Sequence, residues 1–157
     1  MLRASSYPEM PDRFFEEYVP GTVFEAGSFT VSETEIVEFA RQYDPQVFHT
    51  DPEAARTLAF GGLIASGWHT VALTMRQLID EVFGETTGLG SPGVDEVRWL
   101  VPVRPGDTLN VTMQVLEARP SRSKPDRGLM RFRVEATNQD GVLAMSLVGL
   151  GFIRRRP

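Results

Sequence analysis

The sequence predicts an α+β fold in which an antiparallel sheet curls around one long central helix. Three observations carry this expectation. Apolar residues at positions 64, 68, 71, 72, 75, 78, 79, 82 and 83 keep the three-and-four spacing of a helix face. After Gly90 the apolar period changes to two, as on a half-buried strand. Turn residues, Arg104-Pro105-Gly106-Asp107 and Asn138-Gln139-Asp140-Gly141, separate the alternating runs. A helix and a sheet each have an apolar side to bury, and wrapping one around the other buries both.

The elements follow in order. Residues 1–20 mix prolines with charge and read as a surface arm anchored by Phe14, Phe15 and Tyr18. Gly21 opens a first strand over about 22–31. Ser32 caps the next helix and Glu35, three residues on, completes a capping box. Ile36, Val37, Phe39 and Ala40 form its apolar side, and Pro45 ends it. A turn holding Asp44 and His49 follows. Asp51 then caps a short helix with Pro52 at its first position, running through Ala54, Ala55 and Leu58.

The long helix is expected over about 65–83, with Gly84 as its stop. Ala65, Ala72 and Leu73 widen its stripe, which predicts cover on most sides. Val97, Trp99 and Val101 mark the next strand, and Leu109, Val111, Met113 and Val115 the one after. Arg119 to Arg127 reads as a polar loop. Met130, Phe132, Val134 and Ala136 alternate on a further strand. The last strand, about 142–153, is apolar on both faces and belongs inside the sheet. Together these form a meander of about four antiparallel strands, without internal repeats, in a single domain over 1–157.

Composition narrows the function classes. A chain of 157 residues with 41% hydrophobic and 24% charged residues suits one soluble domain with a sizeable core. A net charge of −5 argues against nucleic acid as a partner. The absence of cysteine excludes disulfides, a thiol nucleophile and thiolate metal sites. Two histidines, outside any ligand-spaced cluster, give no reason to expect a metal. Met1 to Met10 lacks the basic-then-apolar run of a signal peptide, and no apolar stretch is long enough to span a membrane. A cytoplasmic location is expected.

The reactive groups concentrate in one stretch. Asp44 and His49 stand in Tyr43-Asp44-Pro45-Gln46-Val47-Phe48-His49-Thr50-Asp51-Pro52. Phe60-Gly61-Gly62-Leu63-Ile64-Ala65-Ser66-Gly67-Trp68-His69 then opens the long helix. A carboxylate and an imidazole beside a glycine-rich helix entry suit proton transfer next to a developing oxyanion. Taken alone, Asp44 also reads as a helix terminator, His49 as a turn residue and the glycines as packing devices.

The order and spacing of these residues resemble the MaoC-like dehydratases of the hotdog fold, which include the (R)-specific enoyl-CoA hydratases. The likeness covers about 12–153. It rests on Asp44, His49, Asp51, Ala54, Ala55, Phe60, Gly61, Ile64 and Gly67, and on the turn Pro102-Val103-Arg104-Pro105-Gly106-Asp107-Thr108-Leu109. The chain departs from the family pattern at Pro45, which directly follows Asp44, at Gln46, where Asn is usual, and at Ser66, where many members carry His.

The resemblance implies reversible hydration of a trans-2-enoyl-CoA to a 3-hydroxyacyl-CoA. Asp44 and His49 would hold the water that adds to C3 while a proton goes to C2. Ordinary pKa values of about 3.9 and 6.5 allow a carboxylate beside an imidazole near neutrality. Gly67 would give its N–H to the enolate-like oxygen, with Ser66, Gly62, Phe60 and Trp68 completing the substrate-binding set. For Ser66 the helix cap is the favoured reading over a ligand contact. Phe60 and Trp68 are core residues or acyl-pocket walls. His69 reads as a packed histidine and Asp51 as a cap.

The basic residues Arg119, Arg122, Lys124 and Arg127 form either a solvated loop or a contact for the phosphates of coenzyme A, with Arg122, Lys124 and Arg127 the candidates. Coenzyme A enters as part of the substrate, with no separate cofactor. A homodimer or higher homo-oligomer is implied, because a single curved sheet leaves an edge to cover. The alternatives are a hotdog acyl-CoA thioesterase and a non-catalytic acyl-CoA binding module. The first is disfavoured because the long helix carries no acidic residue before Asp80 and Glu81.

Overall fold

The computed structural model describes residues 12–157, so the reading of Met1 to Met10 and the start of the arm lie outside the described residues. The capping box forms as the sequence predicts. Ser32 Oγ accepts from the Glu35 N–H at 3.2 Å, and the Glu35 carboxylate accepts from the Ser32 N–H at 2.9 Å. These bonds satisfy N–H groups that a helix start leaves unpaired, and they set the entry to α1 (Glu33–Tyr43).

Two short helices follow, α2 (Val47–Thr50) and α3 (Pro52–Ala55). Asp51 caps α3, its Oδ1 accepting from the N–H groups of Glu53 and Ala54 at 3.0 Å each. The long helix α4 (Gly67–Leu78) continues into a π-helical turn, Ile79–Phe83, which ends at Gly84 with φ at +71°.

Five strands form one antiparallel sheet: β1 (Val23–Thr30), β2 (Val94–Trp99), β3 (Thr108–Pro120), β4 (Arg127–Thr137) and β5 (Leu143–Arg154). Their spatial order is β1-β3-β4-β5-β2. The doubly apolar β5 lies inside the sheet, as its composition predicts. The meander covers only β3, β4 and β5. β2 crosses to the far edge and pairs with β5, Val97 opposite Leu147. The turn at Arg104 to Asp107 therefore joins strands that are not neighbours. It still closes as read, with the Asp107 N–H on the Arg104 carbonyl at 3.0 Å and Gly106 at φ +87°.

The concave face of the sheet holds the core. Val111, Met113 and Val115 of β3, Met130 and Val134 of β4, and Met145 of β5 are fully buried against Leu78 and Val82. The π turn carries one more residue than a helical turn and brings both Val82 and Phe83 inward. Phe83 packs edge-on against Phe132 at 5.5 Å and tilts against Tyr18 at 6.2 Å.

The arm ties down that end of the helix. Arg13 donates to the Glu81 and Val82 carbonyls at 2.9 and 2.8 Å, and the Tyr18 hydroxyl donates to Val82 at 3.1 Å. Phe15 is buried over Gly128, where a Cβ would collide with the ring.

Three expectations need correction. The helix starts at Gly67 rather than 65, because the Ile64 and Ala65 N–H groups bond outward to the Phe48 and Val103 carbonyls at 3.0 and 2.8 Å. One face of the helix is open: Trp68 is 59% and Met75 48% exposed, and Ala72 is exposed too. β2 is six residues long and stops at Trp99, so the sheet does not wrap that side. The polar loop is shorter than expected: Arg119 and Pro120 end β3, opposite Leu129 and Gly128, and Arg127 opens β4, which leaves 121–126 as the connection.

Candidate active site

The backbone after α1 brings the reactive pair together. Asp44 closes α1, its N–H on the Ala40 carbonyl at 2.9 Å, and Pro45 prevents the helix from continuing. The expected turn holding His49 is instead the single helical turn α2. Four residues are too few to register as a helical period. The His49 imidazole Nε2 lies 3.4 Å from Asp44 Oδ2.

Each side chain of the pair is held by a further partner. His49 is buried, and its Nδ1 meets the Ile64 carbonyl oxygen at 2.7 Å. A carbonyl only accepts, so Nδ1 carries the hydrogen. In the neutral ring Nε2 is then an acceptor facing Asp44. Asp44 Oδ1 accepts from Gln46 Nε2 at 2.8 Å, and Oδ2 accepts from Ser66 Oγ at 2.7 Å. The Gln46 bond first, then the Ser66 bond and the nearby His49, hold the Asp44 carboxyl below its ordinary pKa against the opposing effect of burial.

Ser66 corrects the favoured cap reading. It occupies the N-cap position of α4, but its hydroxyl makes no bond to the helix. The hydroxyl is fully buried and spent on Asp44 instead. The first amides of α4 are thus left without a side-chain cap, at the positive end of the helix dipole.

A cleft of about 410 Å³ opens beside the pair. Asp44, His49 and Gly67 share its wall with apolar side chains. Phe60 and Trp68 line it while 41% and 59% exposed, so they are walls rather than core. Trp99, which alternation marks only as a strand residue, also lines it and packs edge-on against Trp68 at 5.1 Å. Its indole occupies the space over Gly67: a Cβ there would stand 2.5 Å from Trp99 Nε1. Close approach of this ring explains why position 67 has no side chain.

Other expected site residues lie elsewhere. Gly62 is outside the cleft lining, and a Cβ there would come 3.3 Å from the Arg104 guanidinium. Arg122, Lys124 and Arg127 sit at the β3–β4 connection, and Arg127 pairs with Asp126 at 2.8 Å. The 13 residues of β3 separate that connection from the cleft, about 40 Å at about 3.3 Å per residue. Within one chain these basic groups do not reach the cleft. His69 is packed as expected, buried and stacked on Phe39 with ring centroids 4.6 Å apart. Burial holds its pKa below the ordinary value, partly offset by Glu35. Among the described residues no group of three or more His, Asp or Glu could hold a metal ion. None of the described helices is long and apolar enough to cross a membrane.

Known proteins are similar to the chain in sequence and fold. The profile of the MaoC like domain family matches residues 16–138. The structure of a MaoC-like dehydratase from Rhodospirillum rubrum is similar at 40% identity, covering 92% of this chain and 99% of that one, with a TM-score of 0.85. The (R)-hydratase PhaJ1 from Pseudomonas aeruginosa is 27% identical over 91% of this chain and 86% of its own, with a TM-score of 0.70. The mesaconyl-CoA hydratase of Cereibacter sphaeroides is 30% identical over 152 residues, 92% of this chain but only 42% of that protein. The five-stranded antiparallel sheet around one long helix is the hotdog fold, and the chain belongs to the MaoC-like domain family.

Proposed function

We propose that the protein is an acyl-thioester hydro-lyase that reversibly hydrates a trans-2-enoyl-CoA to a 3-hydroxyacyl-CoA. The observation that carries this reading is the 3.4 Å approach of His49 Nε2 to Asp44 Oδ2 in the wall of the cleft. With the carboxyl ionised and Nδ1 holding the imidazole hydrogen, both facing atoms accept. They suit the two hydrogens of one water molecule. The water oxygen bonds C3 of the enoyl group as the Asp44–His49 pair takes one of its protons. The pair returns a proton to C2, so water is added across the double bond and the pair ends as it began. Charge that builds on the thioester oxygen meets the Gly67 N–H at the start of α4. The family match and the two hydratases among the similar proteins support the same class of reaction.

The thioesterase alternative lacks a placed acid. Asp80 lies in the π turn, bonded to Arg76 at 2.7 Å, and is absent from the cleft lining. A second copy of the chain is the proposed partner. Val94 and Trp99 on the edge strand β2, with Leu100 after it, are 55%, 45% and 50% exposed, and Trp99 and Leu100 also line the cleft. An edge strand leaves backbone N–H and C=O groups that the edge of a second copy can pair with.

The test is loss of enoyl-thioester absorbance with crotonyl-CoA and longer or branched 2-enoyl-CoAs. Asp44→Asn and His49→Ala should each remove hydration by a hundredfold or more, about the contribution of a positioned acid–base group, and keep the wild-type circular dichroism. Hydration that survives both substitutions would refute the assignment. Release of free thiol from acyl-CoA would favour the thioesterase.

A further inference from the structure

We propose that Arg104 binds a phosphate of the substrate's thioester carrier at the rim of the cleft. The inference deepens the hydratase reading and rests on it. It starts from a mismatch of charge. A coenzyme A thioester is a polyanion, the protein carries a net charge of −5, and the ionised group in the cleft wall is Asp44. Something positive must meet the phosphates outside the apolar cleft, and the basic loop after β3 is at the wrong end of its strand.

Arg104 is at the right end. It directly follows Val103, a lining residue, and its Nη2 donates to the carbonyl of Phe60, another lining residue, at 2.6 Å. The side chain is thus moored across the mouth rather than swinging in solvent. Mooring uses one of five guanidinium hydrogens. No carboxylate among the described residues lies within ion-pair range of it. The nearest acid in sequence is already engaged: Asp107 Oδ2 accepts the Arg104 backbone N–H at 2.8 Å, and Oδ1 accepts from Gln139 at 2.8 Å. The charge is left exposed and uncompensated.

The ground beside the guanidinium is bare backbone. Gly61 adopts φ +66°, and a Cβ built on it would meet nothing within 4 Å. At Gly62 a Cβ would press to 3.3 Å from Arg104 Nη1. Two glycines therefore leave a side-chain-free shelf next to a free guanidinium edge, which suits the fork geometry by which arginine holds phosphate. This gives Gly62 a place at the rim beside the cleft in which it is expected from sequence to bind substrate.

The experiment compares wild type with Arg104→Gln on crotonyl-CoA and on the crotonyl N-acetylcysteamine thioester, which carries no phosphate. For crotonyl-CoA the KM should rise about tenfold, the scale of one charge-assisted hydrogen bond, with the effect on KM rather than kcat. For the phosphate-free thioester KM should stay within twofold, and Arg104→Lys, which keeps the charge without the fork, should recover only part of the affinity for crotonyl-CoA. An equal rise on both thioesters, or on neither, would overturn the proposal. So would a rise confined to acyl groups bearing their own carboxylate, which would assign the guanidinium to the acyl end. If the wild type hydrates nothing, the hydratase reading fails separately. Calorimetric titration with free coenzyme A then decides: binding weakened about tenfold in Arg104→Gln supports the phosphate site, and equal or absent binding refutes it.

Discussion

Replacing Ser66 with Ala removes a single hydroxyl from the protein interior and should move the pH dependence of catalysis. Ser66 Oγ donates to Asp44 Oδ2 at 2.7 Å, and the Asp44 side chain is only 21% exposed, so water replaces the lost donor poorly. A hydrogen bond to a charged acceptor is worth about 1.5–3 kcal/mol, and one pKa unit corresponds to about 1.36 kcal/mol. Its loss should raise the Asp44 pKa, because the bond is one of those that hold it down. The sign is fixed by the ordinary behaviour of a carboxyl. Asp44 is held below its usual value in the folded protein, so the active carboxylate persists above that depressed pKa and is lost as pH falls through it. In the variant the same loss occurs at higher pH.

The assay is the initial rate of crotonyl-CoA hydration from about pH 4 to pH 8 at constant ionic strength, with near-ultraviolet circular dichroism at each point. The acid limb that Asp44 sets should lie at higher pH in Ser66→Ala than in wild type. Ser66→Thr, which keeps a hydroxyl, should restore the wild-type profile if its methyl is accommodated. An acid limb that stays in place in Ser66→Ala, with kcat unchanged, would refute the argument that this bond sets the state of Asp44.

Two further outcomes are expected. Gly67→Ala forces its Cβ into the Trp99 indole, which must give way by about 1 Å to reach ordinary contact. Overpacking of this kind costs about 1–3 kcal/mol, here toward the low end because Trp99 is 45% exposed. Thermal melting reads the cost, and it should disappear in the Gly67→Ala, Trp99→Ala background. A cost that persists there would mean that the ring is not the reason for the glycine. At the edge of the sheet, Val94→Lys replaces an exposed apolar side chain of β2 with a further charge and should turn a dimer into a monomer in sedimentation at assay concentrations. Wild type that is already monomeric would remove the second copy from the account.

The sequence was most legible where structure is local. The Ser32–Glu35 box, the Asp51–Pro52 helix start and the Arg104 to Asp107 turn each form from residues within a few positions of one another, and all three appear in the fold. Alternation located β3 and β4, because each has one face on the core, and a run apolar on both faces located β5 inside the sheet. What escaped was set by distance or brevity. Ser66 looks like any N-cap serine until a bond spanning 22 residues claims its hydroxyl. The four residues of α2 carry no period. The crossing of β2 to the far edge depends on β5, whose residue opposite Val97 comes 50 positions later, Leu147. The open face of α4 looks buried from sequence, because Trp68, Ala72 and Met75 are apolar whether a sheet covers them or the cleft side leaves them bare. Asp44 and His49 were found as residues, but their contact follows from Pro45 and the turn of α2 rather than from their spacing.

The chain has two tryptophans, Trp68 and Trp99, and both stand in the wall of the same cleft. The protein's red-edge emission therefore originates entirely at the place where substrate is proposed to dock. With no third indole to dilute the signal, a thioester entering the cleft displaces water from both emitting rings, which are 59% and 45% exposed without it. Occupancy becomes readable by light alone, with no label, no coupled enzyme and no turnover, even in a variant whose chemistry has been silenced.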